Sequence, residues 1–199
     1  GLEESNFLFI NKAKSPQEMK KDLDAGYAPF TQEAQQYGVA WTGWCWDVKM
    51  ADFLNSGDQE IVQTDGFVKG SINRWPWLQD MAMMNDDLLS NPAMWPNMQP
   101  GDDIGGSQEV AFYAKNSSGK YVNVTRQLGL NVPIPTRGVA IADTTGTGRL
   151  DFALARQWGA PACYENTSPA LGDYLTLALL LPSTVKDPVM CLDAAGAPA

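Results

Sequence analysis

The chain contains no histidine. That absence excludes a Ser-His-Asp triad, a Cys-His pair and any zinc or haem site built on imidazole. Cysteine is scarce too. Cys45, Cys163 and Cys191 lie far apart and form no CxxC, so a Cys-only zinc site is not expected. One disulfide would leave an odd thiol, and small buried thiols are the simpler reading. Basic residues are few, 14 Lys and Arg against 23 Asp and Glu, for a net charge of −9. No Lys/Arg stripe runs along any stretch, so nucleic acid is not an expected partner. Long apolar runs are also missing. The longest, "YLTLALLLP", is strand-sized and falls short of the ~20 residues of a membrane-spanning helix. The opening "GLEESNFLFI" has no basic n-region, which leads us to expect a mature form or a fragment.

What the chain does have is a core's worth of apolar residues, 44% of 199, and an internal repeat. Residues 30–61 align with residues 121–152 at a constant offset of 91. Gly38 meets Gly129, Val48 meets Val139, and Ala51-Asp52 meets Ala142-Asp143. Gly57 meets Gly148, and Glu60-Ile61 meets Asp151-Phe152. Upstream, "FLFINKAK" resembles "VAFYAKNSSGK", with "SPQEMKKDLDAG" inserted in the first copy. Such self-similarity marks a repeat architecture.

Each copy reads as a strand, a turn, a short segment closing on Gly, and then two alternating strands. The loop between those strands opens on Asp and contains Gly. In "LDFALAR", Leu150, Phe152 and Leu154 share a parity, which puts three apolar side chains on one sheet face. "APACYENTS" predicts a third strand, and "YLTLALLLP" another near the end. Short strands with regular turn signals predict an all-β repeat protein. Residues 67–107 break the pattern. They hold Trp75, Trp77 and Trp95, with Met83 and Met84 among several methionines, and they read as an ordered excursion with a short helix in "LQDMAMMNDDLLS".

These residues resemble a family. "GWCWDVKMADFLNSGDQEIVQTDGFV" and "GVAIADTTGTGRLDFALARQWGAPACYENTSP" are similar to FG-GAP/VCBS β-propeller repeats. More narrowly they resemble the ASPIC/UnbV proteins, which include cartilage acidic protein. The resemblance implies antiparallel four-stranded blades in a partial or open propeller. It divides the chain into a first blade region (residues 1–66), an insertion (67–107), a second blade region (108–169) and a tail (170–199) that resembles the start of an ASPIC/UnbV segment. It implies an extracytoplasmic protein. Two to three blades are too few to close a ring, so the expectation is a C-terminal portion of a longer chain or a sector completed by other proteins.

The resemblance also implies calcium loops, with oxygens from the first, third, fifth and ninth residues and a carbonyl from the seventh. In the second copy these positions are Asp143, Thr145, Thr147, Asp151 and the carbonyl of Arg149. In the first they are Asp52, Leu54, Ser56, Glu60 and the carbonyl of Asp58. Calcium takes six to eight oxygens, and each loop retains only two of the matched carboxylates. The reading adopted is a loop that keeps its geometry without metal, its first Asp accepting from loop amides. Calcium is the alternative.

Trp44 and Trp46 share a parity and are assigned to packing between blades, with a sugar-stacking platform as the alternative. Three sequons occur, at Asn116, Asn123 and Asn166. The adjacent pairs Asp86-Asp87 and Asp102-Asp103 are read as loop charge, because neighbouring side chains on an extended segment diverge. No catalytic constellation emerges. The function expected is a non-catalytic exported binding or assembly subunit. Trp75, Trp77, Trp95, Met83 and Met84 form its candidate contact surface, and other protein chains are its partners. A carbohydrate-binding or adhesion module and an accessory subunit of an extracytoplasmic enzyme complex are the alternatives.

Overall fold

The computed structural model describes residues 6–82, 86–94, 97–169, 172–177, 180–181 and 189–190. The centre of the fold is an antiparallel four-stranded sheet. It contains β3 (Cys45–Ala51), β4 (Glu60–Asp65), β7 (Ala111–Lys115) and β8 (Tyr121–Asn123), side by side in chain order. Before it comes the pair β1 (Phe9–Asn11) and β2 (Phe30–Gln32). After it comes a three-stranded antiparallel sheet, β9 (Thr136–Ala142), β10 (Asp151–Arg156) and β11 (Ala162–Tyr164). The protein is thus mostly β-sheet with few helices.

The repeat is visible strand by strand. β3 and β9 are both seven residues long, β4 and β10 both six, and β2 and β8 both three, each pair at the same sequence offset. Registers match as well. Ile61 faces Tyr113 as Phe152 faces Tyr164.

Two cores explain the stacking. Phe53, Val62, Phe112, Leu130, Val139, Phe152 and Leu154 form one, between the four-stranded and three-stranded sheets. Ala34, Val39, Ile61, Tyr113 and Tyr121 form the other, on the opposite face of the four-stranded sheet. Its inner strands β4 and β7 are therefore covered on both sides, while Val48 and Met50 of the edge strand β3 and Val122 of β8 stay exposed. All six residues of β4 are buried, although "QEIVQTD" alternates like a strand with one wet face. Asp47 ties the two sheets at the backbone, its Oδ2 accepting from Val139 N at 3.0 Å.

The first-copy insertion forms α1 (Pro16–Asp24), a helix not predicted. Its signal was present in "SPQE". Ser15 Oγ accepts from Glu18 N at 3.1 Å, Pro16 sits at the first turn, and Glu18 Oε2 accepts from Lys14 N at 2.8 Å. A single turn, α2 (Ala34–Tyr37), closes on Gly38 at φ +82, the left-handed cap that keeps glycine there.

The excursion holds β5 (Ile72–Asn73), α3 (Trp75–Ala82), α4 (Asp86–Ser90), a 3-10 turn (Pro92–Met94) and β6 (Asp102–Asp103). β5 and β6 pair in parallel, closing the excursion at its neck. Gly70 packs there against the carbonyls of Gly101 and Asp102, leaving no room for a Cβ. Within the expected helix over residues 78–90, residues 78–82 and 86–90 are helical, and 83–85 lie outside the described residues. Of the tail strand, Leu180–Leu181 (β12) pairs with Val189–Met190 (β13). Residues 172–177 are not strand, and the rest of "YLTLALLLP" lies outside the described residues.

Candidate functional site

The two Asp loops have the same hydrogen bonds. Asp52 Oδ1 and Oδ2 accept from Ser56 N (2.8 Å) and Gly57 N (2.7 Å). Asp143 Oδ1 and Oδ2 accept from Thr147 N (3.0 Å) and Gly148 N (2.7 Å). Glu60 Oε2 accepts from Phe53 N at 2.8 Å, and Asp151 Oδ2 from Thr144 N at 3.1 Å. Asn55 and Gly146 take matching positive φ values, 50 and 66, as do Gly57 and Gly148, 85 and 74. Burial opposes ionisation of Asp143, but the amides of Gly148 and Thr147 outweigh it and hold the carboxyl below its usual range. The Thr144 hydroxyl and the Asn166 amide do the same for Asp151.

Other polar side chains of the loops have partners within the protein, and none of these contacts uses the matched carbonyl of Asp58 or Arg149. Asp58 pairs with Lys115 at 2.6 Å. Thr145 and Thr147 share a hydroxyl hydrogen bond of 2.9 Å. Arg149 Nε donates to Ser168 O at 3.4 Å. Among the described residues no three His, Cys, Asp or Glu side chains converge to hold a metal ion. Each loop brings two of the matched carboxylates, where calcium takes six to eight oxygens. A thermal melt in EGTA is expected to superimpose on one in excess calcium. A rise in melting temperature with calcium would show that the loops still bind it.

After β11 the chain crosses both loops. Asn166 Nδ2 donates to Phe53 O at 2.7 Å, Asn166 N to Asp151 Oδ1 at 2.8 Å, and Gly172 N to Leu54 O at 3.1 Å. The sequon at Asn166 therefore has its amide engaged. The exposed Asn116 uses its side-chain oxygen to build its own turn, and the exposed Asn123 Oδ1 accepts from Thr125 N.

At the opposite end of the sheets the aromatics gather. Trp44 stacks on Phe67 at 4.7 Å, Trp46 lies 5.6 Å from Phe67, and Trp75 meets Trp44 edge-on at 6.4 Å. Arg137 reaches across from β9 to lie 4.0 Å from the centre of the Trp46 ring. It donates to the carbonyls of Gly66 (2.7 Å) and Phe67 (2.6 Å), and to Gln157 Oε1. The assignment of Trp44 and Trp46 to the core is corrected. Trp46 remains 44% exposed and Trp44 half-buried, because they lie at the sheet's end, beyond the covering strands. Their faces are nevertheless partly covered, by Arg137 and by Phe67.

Of the expected contact surface, Trp75 stands at the start of α3 and touches this cluster, and Trp77 lies 6.0 Å from the Arg74 guanidinium. Trp95, Met83 and Met84 lie outside the described residues. Asp102 is buried and pairs with Arg74 at 2.8 Å, while Asp103 Oδ1 accepts from Gly70 N. Asp86 and Asp87 open α4. Neither pair faces a common cleft. Cys45 is half-buried, and Cys163 exposed, both free thiols; Cys191 lies outside the described residues.

Sequence reasoning missed a third feature at this same end. A cleft of about 530 Å³ is lined by Thr42, Asp65, Gln108, Asn123, Thr125 and Arg126 among others. Asp65 is 1% exposed. Its Oδ1 accepts from Gln63 Nε2 at 3.0 Å, and Gln63 also donates to Asn6 Oδ1 (3.1 Å) and to Thr42 Oγ1. Burial pushes the Asp65 carboxyl up to about 6, against the pull of the Gln63 and Thr42 hydrogen bonds. Gln108 Oε1 accepts from Trp44 N at 2.7 Å and so joins the cleft to the aromatic cluster. The repeat offered a clue. Gln63 and Asp65 fall where the second copy has Leu154 and Arg156.

No protein-family model matches the chain, and no curated protein matches it.

Proposed function

We propose that the protein is a non-catalytic β-propeller-type subunit that binds or assembles with other protein chains. The carrying observation is the packing of the four-stranded sheet β3–β4–β7–β8 against the three-stranded sheet β9–β10–β11, with a second core on the other face of β4 and β7. On the propeller reading such a stack is a sector of a ring, and sector ends left uncovered favour completion by more chain or by a partner. The half-exposed Trp44, Trp46, Trp75 and Phe67 form the contact surface, since aromatics are enriched where interfaces form. An exported location rests on the family resemblance. Among the described residues no helix is long and apolar enough to cross a membrane.

Native mass measurement on protein from its own source, with intact-chain mass beside it, tests the proposal. The expected result is a longer propeller chain or a stable complex of fixed stoichiometry. A monomer of the 199-residue mass with no bound chain overturns it.

A further inference from the structure

We propose that the cleft beside Asp65 is a binding site for a primary ammonium group, which pairs with the Asp65 carboxylate. The inference goes beyond the assembly reading and does not depend on it.

The first argument is charge. Asp65 is buried and takes hydrogen bonds from neutral donors. Among the described residues no Lys or Arg is within ion-pairing distance of it. Arg126, on the cleft wall, is 3.4 Å from Glu109 instead. A buried carboxylate without a cation is costly and is retained where something pairs with it.

The second argument is an internal control. The chain builds the same strand twice. In β10 the matching face carries Phe152, Leu154 and Arg156, with Leu154 2% exposed in the apolar core. In β4 that face carries Ile61, Gln63 and Asp65. The scaffold therefore folds with an apolar side chain at the Gln63 position and without a buried acid at the Asp65 position. Of the polar set Asn6, Thr42, Gln63 and Asp65, Thr42 and Asp65 line the cleft, and Asn6 and Gln63 hold them from behind.

The third argument is shape. The cleft has the volume of a small-ligand site. Asn123 and Thr125 line it with oxygens that take an ammonium's remaining N–H groups. A guanidinium fork wants both carboxylate oxygens in one plane, but Asp65 already accepts from Gln63 and Thr42. A compact ammonium fits better. A metal ion fits worse, since no three acidic or thiol ligands converge among the described residues.

The titratable and charged groups around Asp65 are Cys45 on β3, Tyr113 on β7, and Glu109 and Arg126 on the cleft wall. Burial raises Cys45 to about 11 and Tyr113 to about 12, so both stay neutral through the working range. Asp65 is the group that changes charge between pH 5 and 8.

Calorimetric titration of the full chain with n-butylammonium chloride at pH 8 tests this. The expected result is saturable binding, weakened about tenfold at pH 5, where only about a tenth of Asp65 is ionised. Asp65→Asn is expected to weaken binding tenfold or more, with its fold checked by circular dichroism. Asn123→Leu, at an exposed position, is expected to weaken it several-fold and carries the test if the first variant does not fold. Tetramethylammonium chloride, with no N–H to donate, is expected to give no heat beyond dilution. A second arm uses acetyl-Gly-Lys-Gly-amide and its Nε-acetylated form. Tighter binding of the lysine peptide, erased by acetylation, assigns the amine to a polypeptide. Equal or weaker binding assigns it to a free amine. No saturation by n-butylammonium, or equal binding by tetramethylammonium or by the Asp65→Asn chain, overturns the proposal.

Discussion

Phe53→Ala is expected to cost about 3–5 kcal/mol of unfolding free energy, the range for emptying a large aromatic site. Phe53 is buried between the two main sheets, 5.3 Å from Phe112 and 6.0 Å from Phe152 by ring centroids. The phenyl ring is the one part of the residue that belongs to neither sheet alone. Its backbone is held separately, N–H to Glu60 and C=O to Asn166, so the loop does not collapse into the cavity. Little relaxation means the larger end of the range. Urea unfolding followed by Trp fluorescence measures it. A loss under ~1 kcal/mol would mean that the sheets do not share this core.

Asp65→Asn is expected to act the other way, raising stability at neutral pH by about 2–3 kcal/mol. The shift is roughly two pH units at 1.36 kcal/mol each, on a side chain that is almost wholly buried. The sign follows from proton binding. Unfolded, the carboxyl titrates near 3.8; folded, near 6. Between those values the native state holds the proton that the unfolded state has released, so stability falls as pH rises from about 4 to about 6. Below pH 4 both states are protonated and Asn offers no gain. Above pH 6 the native state carries a buried charge that the amide avoids, while an Asn oxygen still accepts from Gln63. Melts at pH 4, 5, 6 and 8 measure the difference. A difference that does not grow with pH would overturn the assignment. Asp143 and Asp151 work against this trend. Both are held below their usual range, so their contribution is present at neutral pH and lost as the medium acidifies.

The strands were legible because the chain states them twice. Comparing "VKMAD" with "AIAD" and "GDQEI" with "GRLDF" places two hairpins without any propensity argument, and the observed bounds of β3, β4, β9 and β10 follow that comparison. The Asp-amide turn in each loop was legible for the same reason: Asp52, Gly57 and Glu60 survive as Asp143, Gly148 and Asp151. What the sequence obscured was depth. Alternation in "QEIVQTD" signals one wet face, yet Ile61 and Val62 enter different cores, so Gln63, Thr64 and Asp65 are as buried as their apolar neighbours. The cleft is likewise assembled from the β2–β3 connection, the excursion's end and the end of β8, and no spacing rule links Thr42, Gln108 and Asn123. Trp46 lies on β3 and Trp44 just before it, and parity says nothing about whether a strand's end is covered.

The run from Asn166 to Gly172 bears on how the molecule comes apart. Stacked repeats that touch only through side chains can melt one unit at a time. Here a single segment beyond the last sheet bonds to the hairpin loop of the sheet before it, through the Asn166 side chain to Phe53 and Gly172 N to Leu54, and through Asn166 N to Asp151 of its own. Neither hairpin can open without releasing the same segment. The two copies are bound into one cooperative unit, and partial unravelling from the three-stranded end costs contacts in both.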